Sequence, residues 1–247
     1  MLHGLWKLTR LEIKIFLREP LGVIGAVGMP VALFVVLQRI GARVPDRAAV
    51  PALLAADLPV LAAVMVAMGA VVSLVSIVAI YREGGILKRL RATPLTPTTI
   101  LLAHVLVKLT FTAVSLVLLA AVGARSFGPG GTGTLASFAA ALLFTTLCLL
   151  SVGFVVASVV PTARFAQPVA TLVVYVMMGF SGLFVAVERM PPAMQAIAHA
   201  LPLTYAVSLL RGVWHGPGWL GHATDVAMLV LMSVLCTAVA ARIFRWE

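Results

Sequence analysis

Acidic residues are scarce in this sequence: eight Asp and Glu stand against eighteen Lys and Arg, and all four types together make up 11% of 247 residues. So little charge cannot clothe a water-soluble surface, which excludes a soluble globular domain. Cysteine is rarer still. Cys148 and Cys236 each lie inside an apolar run, so they read as small buried hydrophobes and not as a disulfide or a metal pair. Aromatic residues, at 7%, leave little material for platforms that stack on sugars. No G-x-x-x-x-G-K-S/T loop occurs, so the chain lacks the backbone cradle and lysine that hold ATP phosphates. H-E-x-x-H, C-x-x-C and G-x-S-x-G are missing as well. His104, His199, His215 and His222 are dispersed without metal-ligand spacing, so an intramembrane enzyme is not expected.

What is present is overwhelmingly apolar. Hydrophobic residues make up 62% of the chain and mean hydropathy is +1.12, values that belong to an integral membrane protein. The net charge of +10 does not point to nucleic acid, because the cations sit in connections beside apolar runs. Runs at residues 21–38, 58–80, 100–123, 134–160, 168–187 and 223–243 predict six transmembrane helices in one all-α polytopic domain. Pro30 predicts a kink in the first of them, and Gly22, Gly25 and Gly28 a smooth strip along it. That run begins behind a charged segment and no small-residue cleavage pattern follows, so no secretory signal is expected. Cations at 7–18, 82–91, 164 and 242–245 outnumber those at 39–47, 125, 189 and 211. The bias predicts a multi-pass protein of the plasma membrane with both termini in the cytoplasm.

Residues 1–19 precede any span and are strongly patterned. His3, Lys7, Arg10, Lys14 and Arg18 recur at three- and four-residue steps, which places them on one narrow helical face, while Leu2, Leu5, Trp6, Ile13 and Phe16 cover much of the rest. This suits a helix lying in the membrane interface with its cations toward lipid phosphates. Glu12 and Glu19 fall on another side, facing either a protein surface or water. In the third span His104 and Lys108 share a face, and such a lysine is either functional or snorkels to the surface. Met65, Met68, Met177, Met178, Phe180 and Phe184 are adaptable apolar groups, candidates for a substrate path or for core packing.

The stretch at 81–97, Y-R-E-G-G-I-L-K-R-L-R-A-T-P-L-T-P, cannot dissolve in lipid. Its four cations demand water or headgroups on the cytoplasmic side. Ile86, Leu87 and Leu90 fall on one side of a short amphipathic helix, Glu83 favours its first turn, and Pro94 stops it by forcing Thr93 out of the α region. Composition alone allows a topogenic, lipid-binding loop. The order R-E-x-G-x-L-x-x-L-x-x-T-P-L, carried by Arg82, Glu83, Gly85, Leu87, Leu90, Thr93, Pro94 and Leu95, resembles the first cytoplasmic loop of ABC-2 type transporter permeases. The resemblance implies a coupling helix docking on a separate ATPase, with Arg82, Glu83, Gly85, Leu87, Arg89, Leu90, Arg91, Thr93 and Pro94 as its ATPase-coupling residues. Tyr81 and Lys88 stand where that family commonly has acidic residues, and Ile86 where it has Thr.

Residues 188–222 form neither a clean span nor a polar loop, because Pro191, Pro192 and Pro202 interrupt an apolar stretch. Two short helices that enter the outer leaflet and return satisfy that pattern. The order S-G-L-F…P-x-x-x-Q-x-I-A-x-x-L-P-L-T-Y…R, from Ser181 to Arg211, again resembles ABC-2 permeases. It implies a re-entrant external gate with Glu188, Pro191, Pro202, Tyr205 and Arg211. Ala186 departs from a usual Pro there, and Ser208 occupies a place often acidic.

The resemblance spans nearly the whole chain. It implies the permease subunit of a bacterial ABC exporter, paired with a second copy or a homologue and driven by two separate ATPase subunits. ATP and Mg would sit on those subunits, with no cofactor on this chain. The sparse polar groups in the spans suit a hydrophobic or amphipathic cargo such as a drug, lipid or natural product. A polysaccharide or lipid-linked glycan exporter is one alternative. An ion-coupled secondary transporter is another; it needs an ionisable group near the midplane, for which only Lys108 is a candidate.

Overall fold

Long apolar runs become helices here because a backbone surrounded by apolar groups must satisfy its own N–H and C=O groups within the segment. The computed structural model describes residues 2–18, 20–43, 58–85, 97–123, 131–160, 162–215 and 218–243, and every regular element among them is helical. Helix α1 is Leu2–Leu17. Helix α2 joins Pro20–Val23, a π turn Ile24–Gly28 and Met29–Arg43; α3 is Leu58–Glu83, α4 Pro97–Gly123, α5 Gly131–Val159 and α6 Ala163–Phe180. A 3₁₀ turn at Val187–Arg189 leads to α7 (Pro192–Ala200) and α8 (Pro202–His215), and another at Leu220–His222 leads to α9 (Ala223–Ile243).

Among the described residues five helices are long and apolar enough to cross a membrane, α3, α4, α5, α6 and α9 with the turn before it; counting the α7–α8 pair, bent by 85°, as one span would give six. The predicted first span lies in α2, whose π turn leaves no unbroken α-helical piece of crossing length. Pro30 is the physical cause. It removes the N–H that would bond the Ala26 carbonyl, and the wider turn just before it, closed by the Met29 N–H on Ile24 O, absorbs the mismatch. The fifth run is also shifted. Helix α6 starts at Ala163, carries Pro168 within it and ends at Phe180.

Helix α5 is the hub of the bundle, packing against α3, α4, α8 and α9. At one end Val64, Met68 and Val71 of α3 meet Phe138, Leu142 and Leu149 of α5 and Leu203, Val207 and Leu210 of α8. At the other end Leu74, Val75 and Val78 meet Leu150, Ala157, Ala166 and Ala170. The span window of α3 is 56% buried and that of α9 only 11%, so α3 is central and α9 peripheral.

Helix α1 lies along α4, where Ile13 and Phe16 join Val27, Val107 and Phe111. Lys7, Arg10, Lys14 and Arg18 are all exposed on the side away from this contact. Much of the apolar side thus faces the chain itself, and exposed Trp6, Leu11 and Leu17 flank the cationic strip.

Candidate functional site

The last turn of α3 carries three consecutive side chains that each grip a different element. Gly85, at φ +65°, adopts the left-handed conformation that ends this helix and redirects the chain. Gly84 N–H bonds Ile80 O at 2.9 Å and Gly85 N–H bonds Arg82 O at 3.1 Å, closing the terminal turn. Tyr81 donates to Glu12 Oε1 of α1 at 2.6 Å. Arg82 donates to Ala157 O at 3.2 Å and to Val160 O, the carbonyls at the end of α5. Glu83 Oε2 accepts the Ala163 N–H at 2.7 Å, at the start of α6. Of the predicted ATPase-coupling residues, Arg82, Glu83 and Gly85 lie among the described residues. Leu87, Arg89, Leu90, Arg91, Thr93 and Pro94 lie outside the described residues.

Tyr81 also opens onto a buried polar cluster. Glu12 is buried, and its second carboxylate oxygen lies 3.9 Å from His104 Nδ1, while the His104 ring meets Tyr81 edge-on at 5.1 Å. One turn along α4, Lys108 donates to Ser73 Oγ of α3 and sits 4.8 Å over the Phe16 ring of α1. Glu12 thus faces protein, its own chain's, and Lys108 is buried among neighbours instead of reaching outward. Glu19 lies outside the described residues.

The opposite end of the bundle holds the bent helix pair. Pro191 occupies the N-cap of α7, and Pro202 opens α8, where a missing N–H costs nothing. Carbonyls freed by these breaks are taken up locally: Gln195 donates to Met190 O at 2.9 Å, Thr204 to Ala198 O at 2.6 Å and Tyr205 to His199 O at 2.9 Å. Arg211 bridges back to Gly182 O at 2.9 Å and Leu183 O at 3.2 Å, tying α8 to the end of α6. Glu188 is exposed in the 3₁₀ turn. A cavity of about 440 Å³ lies among Glu188, Tyr205, Ser208, Arg211, His222 and Asp225.

Ser208 and His222 converge on Asp225. Ser208 Oγ donates to Asp225 Oδ2 at 2.7 Å, and His222 Nδ1 is 2.7 Å from the same oxygen. Asp225 therefore brings a carboxylate to Ser208, the position where an acidic residue is common. Ser208 Oγ also lies 3.4 Å from His222 Nδ1, and the far edge of the imidazole faces Gly212.

The methionines are packed inside the chain. Met68, Met177 and Met178 are buried in the core and Met65 packs against it, whereas Phe180 is half-buried and Phe184 is 50% exposed. Helix α6 carries a stripe of polar residues on an open face. Arg164, Gln167, Thr171 and Tyr175 recur at three- and four-residue steps, and with Pro168 and Leu172 they line a groove of about 660 Å³. The three- and four-residue period of that stripe can be read from the sequence; the joining of Ser208 to Asp225 and of Glu12 to Tyr81 cannot.

A bundle of apolar helices with a polar junction at one end and a bent, proline-broken pair at the other is the architecture of a helical membrane protein. Residues 3–214 match the ABC-2 type transporter family, and the chain belongs to that family. Members of this family are membrane transport components that work with ABC ATPase subunits. The chain is also similar to Nodulation protein J of Neorhizobium galegae, 31% identical over 103 residues. That match covers 42% of this chain and 37% of the relative, so the chain spans little more than a third of the relative's length.

Proposed function

We propose that this chain is the permease subunit of an ATP-driven exporter in a bacterial plasma membrane, both termini cytoplasmic, moving an amphipathic substrate between two such subunits. The observation that carries this reading is the open polar face of α6: Gln167 and Tyr175 are exposed and Thr171 half-buried on a helix long enough to cross a membrane. Polar side chains in a spanning helix face a bundle interior or an aqueous path far more readily than lipid. A second permease copy opposite α6 encloses that face and turns it into a passage. Six crossings, with α2 as the first and α7–α8 as a re-entrant hairpin, complete the layout. Two ATPase subunits, carrying ATP and Mg, dock at the cytoplasmic end on residues 87–94, since Arg82 and Glu83 are engaged by α5 and α6 of their own chain.

A glycan or glycolipid cargo is the second reading, favoured by the hydroxyl and amide groups of that face. The test for both is the reconstituted complex. Stimulation of its ATP hydrolysis by lipophilic amphiphiles supports the first cargo class, and stimulation by lipid-linked sugars alone the second. Cysteines placed at Tyr175 should cross-link between two permease copies; failure to do so places the path elsewhere.

A further inference from the structure

The turn between α5 and α6 is held from outside itself. Thr162 occupies the N-cap position of α6 in an extended conformation, φ −134° and ψ 152°, from which a threonine hydroxyl ordinarily takes a first-turn N–H. It makes no such bond, and its buried Oγ1 has no hydrogen-bond partner among the described residues. The Ala163 N–H, the first of the helix and out of reach of an N-cap side chain, goes to Glu83, and carbonyls at and just past the end of α5 go to Arg82. A carboxylate therefore sits on the positive end of one helix dipole and a guanidinium on the negative end of its neighbour. A cap built into the turn would travel with it. A cap borrowed from α3 ties the turn to the place where α3 ends.

We propose that Arg82 and Glu83 are positioning residues, a clasp that carries displacement of the segment after Gly85 into α6 and so into its polar face. This rests on the reading that residues 87–94 dock an ATPase. It gives Arg82 and Glu83 a role inside the permease, separate from ATPase contact. Glu83 grips Ala163, and the groove along α6 begins at that same residue. The clasp thus links the docking segment to the substrate-facing helix without passing through α4.

The test uses the full permease with its co-purifying P-loop ATPase in proteoliposomes, reading ATPase retention, ATP hydrolysis and transport separately. Glu83→Ala is expected to keep the ATPase bound and hydrolysing while transport per ATP falls at least tenfold. Glu83→Gln, whose side-chain carbonyl still accepts the Ala163 N–H, should keep most of the transport. Adding Thr162→Asp to Glu83→Ala gives α6 its own cap; thermal stability should recover while transport stays low. If the double variant transports normally, Glu83 is only a structural cap and the clasp is refuted. Loss of the ATPase from Glu83→Ala, with Glu83→Gln equally impaired, would place Glu83 in the docking surface and also refute it. Absence of any ATPase from the wild-type complex would overturn the docking reading itself, an outcome distinct from both.

Discussion

Tyr81 and Glu12, 69 residues apart, meet in a hydrogen bond of 2.6 Å that fastens α1 to the end of α3. Glu12 is buried, so the phenol supplies much of what replaces water around its carboxylate. Tyr81→Phe removes that donor and leaves the acceptor in place, which costs about 1–3 kcal/mol for a buried polar group. Thermal unfolding in detergent should show that loss. Glu12→Gln relieves the uncompensated charge, so the two substitutions should combine non-additively, with a coupling of about 0.5–3 kcal/mol. Strict additivity would mean that the bond contributes nothing to holding α1.

The positions of the helices were largely legible in the sequence, and their faces were not. Predicted runs at 58–80, 100–123, 134–160 and 223–243 correspond closely to α3, α4, α5 and α9. These helices are apolar all round, so no periodicity tells which side is inside. Met177 and Tyr175 illustrate this: both lie in the apolar run of α6, yet one is 3% exposed and the other 67%. Proline marked the bent pair correctly, because Pro202 cannot continue a helix but starts one well. The shifted start of α6 had a different cause. Its first N–H is satisfied by Glu83, 80 residues earlier in the chain, which no local capping signal at Thr162 reveals. The same limit applies to Glu12, whose burial depends on a partner supplied by another helix.

Gly212 exists because His222 lies against it. A Cβ built at residue 212 would fall 2.0 Å from His222 Nε2, far inside van der Waals contact. Gly212→Ala must push the imidazole aside and loosen its bond to Asp225, an overpacking cost of about 1–3 kcal/mol. His222→Ala removes the obstacle. The double variant should therefore be more stable to heat than Gly212→Ala alone, and a stability equal to that of the single variant would show that the ring moves away freely.

Lys108 decides between energy sources. It is buried, bonded to Ser73 and stacked over Phe16, an arrangement that fixes α1, α3 and α4 together. An ion-coupled carrier would use such a group to bind and release its ion within the membrane. Under the ATP-driven reading, Lys108→Met should lower thermal stability and leave substrate movement dependent on ATP. Dissipating the proton gradient should change little in either protein. Transport that survives ATP depletion, collapses with the gradient and vanishes in Lys108→Met would favour ion coupling.

Met177 and Tyr175 separate a path inside one chain from a path between two. Met177 packs within the core beside α3 and α8, so Met177→Ala opens a cavity and should cost about 2–5 kcal/mol in stability. The order in which different cargoes stimulate ATP hydrolysis should stay the same, since no cargo reaches that position. Tyr175 stands on the open face, largely exposed among the described residues. Tyr175→Ala should leave thermal stability nearly unchanged, because little packing is removed, while altering both the concentration of cargo needed for stimulation and the ranking among cargoes. Thr171→Val, on the same stripe, should shift that ranking toward apolar compounds by removing a hydroxyl without changing shape. The reverse pattern, cargo effects from Met177 and only stability effects from Tyr175, would move the passage into the helical bundle and leave the α6 stripe as a contact between permease copies.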